Sequence, residues 1–103
     1  MPTVMYMDWP TITREKYDEA LEKIDWEGDV PKGALFHVAW FDDESGFHAV
    51  DLWESAEEFN AFVEQRLMPG LREIGIEGQP SVRFSEAHRV FNPALQPANS
   101  SVG

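Results

Sequence analysis

Ala34–Glu54, ALFHVAWFDDESGFHAVDLWE, decides the fold. It divides into two strand-like runs, ALFHVAWFD and GFHAVDLWE, joined through Asp43-Glu44-Ser45 and closed by Gly46, a polar turn between segments rich in β-branched and aromatic residues. With Phe41 set opposite Phe47, the register places His37 opposite Asp51 and Leu35 opposite Trp53. Side chains alternate across a strand, so two faces separate. One carries Phe36, Val38 and Trp40 against Leu52, Val50 and His48, the apolar set expected beneath helices. The other carries Leu35, His37, Ala39 and Phe41 against Trp53, Asp51, Ala49 and Phe47. This second face is apolar around one imidazole and one carboxylate, and its two alanines leave room beside them. Function is expected there.

Outward from the hairpin, Thr3–Trp9 is apolar on nearly every residue, as a central strand covered on both faces should be, and Pro10 ends it. Thr13 caps a helix predicted through Trp26, where Tyr17, Ala20, Leu21 and Ile24 recur at helical spacing and Glu15, Lys16, Asp18, Glu19, Glu22 and Lys23 take the wet side. Glu27–Gly33 reads as a loop. After the hairpin, Ser55-Ala56-Glu57-Glu58 matches a capping box, in which serine hydroxyl and glutamate carboxylate satisfy free backbone N–H groups at a helix start. Phe59, Phe62, Val63 and Leu67 form that helix's dry stripe, and Pro69-Gly70 interrupts or kinks it. A last strand is predicted over Ser81–Phe91. Either of its sides can face inward, the one with His88 or the one with Arg83 and Arg89. Residues 1–91 form one domain, and 92–103, NPALQPANSSVG, have the composition of a flexible tail.

The chain has 103 residues, 8 Lys+Arg against 19 Asp+Glu and no cysteine. A domain this small buries a limited share of its surface, so a second copy is the expected cover for any leftover apolar face. A net charge of −11 repels nucleic-acid phosphate and anionic membrane surfaces, and neither is an expected partner. Without cysteine there is no disulfide, thiolate catalysis or sulfur-ligated zinc. No apolar run reaches membrane-spanning length and no signal-peptide pattern is present, so a cytoplasmic location is expected.

The element order βαββαβ is that of the split βαβ, ferredoxin-like arrangement, an α+β fold with an antiparallel four-stranded sheet and two helices on one face. Packing two bare sheet faces together gives a dimeric α/β barrel, and a homodimer through the sheet face is expected. Phe36-His37-Val38-Ala39, Asp51-Leu52-Trp53-Glu54-Ser55 running into Phe59-Asn60-Ala61-Phe62-Val63-Glu64, and Leu67-Met68-Pro69 resemble the small dimeric α/β-barrel proteins related to antibiotic-biosynthesis monooxygenases. The likeness spans about residues 3–91 and is most specific from Asp51 to Pro69. It implies a ferredoxin-like fold, sheet-to-sheet dimerisation and a small-molecule pocket. Characterised monooxygenases of this kind use an asparagine and a tryptophan near the substrate. Here no strand carries an asparagine, and Trp53 supplies an aromatic wall.

His37 and Asp51 are the candidate catalytic pair. A carboxylate on one imidazole nitrogen fixes the tautomer and leaves the other nitrogen to exchange protons, with an unperturbed pKa of ~6.5 that suits neutral pH. Trp53, Phe41, Phe47, Tyr6 and His88 are candidate substrate-binding residues. The leading reading is a small homodimer that binds an apolar, aromatic or polyketide-like molecule, with the pair acting in cofactor-independent oxygenation or in isomerisation. No cofactor is expected. Two rivals stand beside it. In one, a non-catalytic ligand-binding or stress-related module uses the pair only to shape an interface. In the other, a metal-dependent enzyme binds its ion through His37, Asp51 and His88, a two-His, one-carboxylate set.

Overall fold

The computed structural model describes residues 1–93. Strand β1 spans Thr3–Trp9, helix α1 Arg14–Ile24, β2 Ala34–Asp42, β3 Gly46–Trp53, α2 Ala56–Phe62, α3 Met68–Glu73 and β4 Ser81–Glu86, with one π-helical turn, Val63–Leu67, joining α2 to α3. The sheet order is β2-β3-β1-β4, with every described pairing antiparallel. This is the ferredoxin-like α+β arrangement. Most of the expected tail, residues 94–103, lies outside the described residues.

Local chemistry accounts for most boundaries. Thr13 Oγ1 accepts from the Lys16 N–H at 3.1 Å to start α1. Asp25, at φ 58°, ends it two residues short of Trp26, its own N–H donating to the Leu21 carbonyl. At the head of α2, Ser55 Oγ accepts from the Glu58 N–H at 3.2 Å, and the hydroxyl itself donates to the Glu58 carboxylate at 3.3 Å. Pro69 lacks the N–H that an α-helix needs, and just before it the chain widens, the Met68 N–H reaching back to the Val63 carbonyl. The helix therefore runs through Pro69 as α3. Gly70 lets α3 press on α1, since a Cβ there would lie 2.6 Å from Ile24 Cγ1.

The hairpin register holds from Phe41↔Phe47 to Phe36↔Leu52, with His37 opposite Asp51. Beyond that it slips. A bulge between Ala34 and Phe36 pairs Ala34 with Trp53 and leaves Leu35 out of the ladder. Strand β4 stops at Glu86, short of the expected Phe91: Glu86 pairs with Thr3, and past it the Ala87 N–H donates to the Pro2 carbonyl at 2.8 Å, while proline has no N–H to extend the ladder.

The two sheet faces are exchanged relative to the sequence expectation. The helices cover the face of His37, Ala39, Asp51, Ala49, Phe47 and Trp53, continued on β1 by Met5, Met7 and Trp9. Met5 and Ala49 are each 1% exposed. The expected core set is open instead, with Phe36 at 47%, Val38 at 42% and Trp40 at 41% exposure. Residue alternation defines two faces but does not say which one the crossover helices occupy. That depends on crossover handedness, and here both faces are apolar enough to accept a helix layer.

Candidate functional site

Against the helix side of the sheet lies a cavity of about 380 Å³. Its floor is sheet, with Met5, Met7, Ala49 and Trp53. Its roof is α1 and the loop after it, with Tyr17, Ala20, Trp26 and Pro31, and α2 and α3 close the far side with Phe59, Phe62 and Leu71. Large apolar residues make the wall because the helix stripes and the odd-numbered β1 residues meet there.

Within this wall four polar side chains form a chain of hydrogen bonds. Trp53 Nε1–H donates to Asp51 Oδ2 at 3.0 Å. Asp51 Oδ1 lies 2.6 Å from His37 Nδ1, and His37 Nε2 lies 2.7 Å from the Tyr17 hydroxyl. Cross-strand pairing of β2 with β3 sets His37 opposite Asp51, and the dry stripe of α1 brings Tyr17 down onto them. Burial, then the negative charges of Glu27, Asp51 and Asp18, push the Tyr17 phenol up to about 12. Tyr17 is therefore a neutral O–H donor at neutral pH and His37 Nε2 its acceptor, so Nδ1 carries the ring proton and donates it to Asp51. The Tyr17 and His37 rings lie 8° from parallel with centroids 6.1 Å apart.

His37, Asp51, Trp53 and Phe47 all stand on the cavity wall. Phe41 lies outside it, in a shallow groove on the outer side of Tyr17 and His37, with the Arg14 guanidinium 5.0 Å from its ring centroid. Two other candidates are moved off the site. Tyr6 sits between Met5 and Met7, so alternation turns it to the open face, where the Arg83 guanidinium lies 4.7 Å from its ring centroid. His88 lies past the end of β4, exposed, and does not join His37 and Asp51. Among the described residues no group of three His, Cys, Asp or Glu side chains is placed to hold a metal ion, so the His37–Asp51–His88 set is not assembled. Nor does any described helix have the length and apolarity to cross a membrane. Val82 and Phe84 are the β4 residues that face the helices, which settles the strand's inward side.

The sequence reading missed Tyr17 as a functional group. Its place in the α1 stripe marks it as core, and only its hydroxyl, a polar end on a buried-facing position, signals a partner.

No family model and no curated protein matches this chain. Solved structures do. SnoaB, a cofactor-independent oxygenase from Streptomyces nogalater, is similar with a TM-score of 0.59 at 10% identity, over 86% of this chain and 94% of that one. The chain shares the ferredoxin-like fold of these proteins. The heme-degrading protein Rv3592 from Mycobacterium tuberculosis is similar at a TM-score of 0.57 and 16% identity, covering 89% of this chain and 97% of that one. A hydroxynitrile lyase from Passiflora edulis matches at 0.53 and 9%, covering 88% and 96%. One fold thus carries three stated chemistries, and the reaction has to be argued from side chains.

Proposed function

We propose that this protein is an acid–base enzyme acting on a mostly apolar, aromatic or polyketide-like small molecule, with oxygenation by O₂ as its reaction and isomerisation as the variant of the same proton chemistry. The observation that carries the reading is the Tyr17–His37–Asp51 relay set in the wall of an apolar cavity. A substrate proton delivered to the Tyr17 oxygen displaces the phenol proton onto His37 Nε2. Asp51 then faces the imidazolium and stabilises it. For an anthrone-type methylene the carbanion so formed reacts with O₂, and CH₂ + O₂ gives C=O + H₂O. The methylene supplies all four electrons, so no external reductant is required. Likeness in fold to a cofactor-independent oxygenase supports this choice of reaction.

The test is O₂ uptake and quinone formation with anthrone. Wild type should turn over, and His37→Ala should lose on the order of 10²-fold or more in kcat. Equal rates in the two proteins end the reading. A second reading, a binding module without catalysis, is favoured by both His37 nitrogens already having partners within the chain. It predicts saturable binding without turnover.

For the open face we infer a second copy of this chain as cover. Phe36, Val38 and Trp40 lie there in a row along β2, and a small domain leaves such a surface to self-association.

A further inference from the structure

Asp51 is a carboxylate in the cavity wall, 7% exposed. Its two oxygens accept from His37 Nδ1 at 2.6 Å and Trp53 Nε1 at 3.0 Å, and with Tyr17 donating to His37 Nε2 both of those donors belong to neutral rings. The charge is hydrogen-bonded but not balanced. Glu27 is a second, exposed carboxylate, lining both the cavity and the groove outside it. Among the described residues neither acid is paired with a lysine or arginine. Lys16 also reaches the wall, but its ammonium is held by Glu19 at 3.3 Å and by the Ile74 carbonyl at 3.2 Å. After burial, Glu27 and then Asp51 are what raise the Tyr17 phenol, so their field crosses the wall. Much of the remaining wall is aromatic ring, from Tyr17, Trp26, Phe47, Trp53, Phe59 and Phe62, and ring faces are themselves electronegative.

A buried charge without a counter-charge is costly, and a cation brought beside it lowers that cost. We propose that the cavity's ligand supplies the counter-charge: a flat aromatic cation with a quaternised ring nitrogen, answered by Asp51 and drawn in by Glu27. This deepens the acid–base reading and rests on it for the cavity as ligand site. A delocalised ring cation is more weakly hydrated than an ammonium, and the aromatic faces around it replace the water it sheds. The charge also fits the proton chemistry. When a carbon conjugated to the ring nitrogen loses a proton, the C–H electron pair neutralises that nitrogen as an enamine. The proton passes to the Tyr17 oxygen while the phenol proton moves to His37 Nε2. One positive charge thus travels from ligand to imidazolium and stays beside Asp51. A neutral carbon acid must instead separate charge in the same step, so cations are the easier substrates for this wall.

The experiment compares probes of one shape and different charge: N-methylquinolinium, its uncharged isostere 1-methylnaphthalene, and 1-naphthoate. Binding is read only from the backbone amide resonances of Met5, Met7 and Ala49 on the cavity floor, so attraction to the acidic surface is not counted. The cation should bind wild type about 10-fold more tightly than the isostere, and the anion most weakly of all. Asp51→Asn keeps the shape of the wall and should bring cation and isostere within about twofold of each other. Glu27→Gln, a change at an exposed position, should weaken the cation alone by about threefold, an effect that added salt erases. An isostere that binds wild type as tightly as the cation overturns the proposal, a result that holds even where Asp51→Asn folds poorly. So does a cation preference that survives in Asp51→Asn, or a cation that never saturates the floor resonances. Cation affinity untouched by Glu27→Gln overturns the role given to Glu27. Anthrone turnover on wild type with no preference for the cation would leave the relay reaction standing and remove this inference, whereas a cation preference without anthrone turnover supports the inference and removes that reaction.

Discussion

The Tyr17 hydroxyl lies 2.7 Å from Nε2 of His37, joining a helix to an edge strand through the one imidazole nitrogen that Asp51 does not hold. The sheet pairing alone would leave Nε2 open, a simple His–Asp dyad. Tyr17 makes the dyad a three-group relay whose outer member is neutral and whose inner member is an acid, so charge created at the phenol end is answered at the Asp51 end.

Removing either end should therefore separate two effects. Asp51→Asn keeps the shape but withdraws the charge that stabilises the imidazolium, and should cost on the order of 10²-fold in kcat for anthrone oxidation. Tyr17→Phe keeps the ring stack and removes only the hydroxyl. If substrate protons pass through it, kcat falls by a similar factor; an unchanged kcat would show that His37 takes the proton directly.

Tyr17 also carries a pH signature. Its phenol is raised to about 12 from 10.0 by burial first, so the unfolded chain ionises it before the folded one does. The stability linked to Tyr17 is intact below about pH 10 and declines as pH rises through about 12. Thermal melts between those limits should show a steeper alkaline loss in wild type than in Tyr17→Phe. Parallel slopes would contradict the burial of the phenol.

The architecture was legible because its signals are local. Thr3–Trp9 ends at Pro10, Thr13 and Ser55 carry cap oxygens, and the pairing of Phe41 with Phe47 follows from the Asp43–Gly46 turn. Hence His37 and Asp51 were found together. What stayed hidden depends on three-dimensional placement. Whether helices cover His37 or Trp40 turns on the crossover and not on alternation. That choice in turn decides that Tyr17 and Trp26 reach His37, that Tyr6 leaves the site, and that the Tyr17 hydroxyl has an acceptor. The end of β4 at Glu86 needs knowledge of where its partner strand begins, and the slip at Leu35 leaves no composition mark.

The contact between α1 and α3 is a second testable consequence of packing. A methyl group on residue 70 would lie 2.6 Å from Ile24 Cγ1, so Gly70→Ala should overpack that crossing and destabilise the protein by about 1–3 kcal/mol. Ile24 is buried, so shortening it leaves space. Ile24→Ala removes Cγ1, and in the Gly70→Ala background it should cost less than it does alone, measured as non-additivity in urea unfolding. Full additivity would mean that the two side chains do not meet.

Self-association through the open face predicts its own variant. Val38→Glu sets a carboxylate in the middle of the exposed row and away from the cavity wall, so folding should survive while pairing does not. Light scattering after gel filtration should give a dimer mass for wild type at micromolar concentration and a monomer mass for the variant, with unchanged circular dichroism. A wild-type monomer refutes the inferred partner.

The second histidine offers the sharpest pH test. His48 Nδ1 lies 2.5 Å from Asp8 Oδ1, and its Nε2 lies 2.7 Å from both Asp42 Oδ2 and Ser45 Oγ, so one ring ties β1 to the β2–β3 turn beneath the stacked Trp40 ring. The hydrogen bond to Asp8 first, and then that to Asp42, raise the His48 pKa above 6.5 against the opposing effect of burial. Asp42 is held down to about 2, first by the Ser45 hydroxyl and then by the Ser45 N–H. The two shifts work from opposite sides. The His48 contribution is complete below pH 6.5 and disappears as pH rises through its raised folded value, whereas the Asp42 contribution is complete above 3.8 and disappears as pH falls through about 2. The turn should therefore be held most firmly between those unfolded values, at mildly acidic pH. Wild type should melt at a higher temperature near pH 5 than near pH 8, and His48→Asn should shrink that difference while lowering the melting temperature most at pH 5. Equal losses at both pH values would mean that His48 holds the turn as a neutral ring, and the charge-based clamp would be wrong.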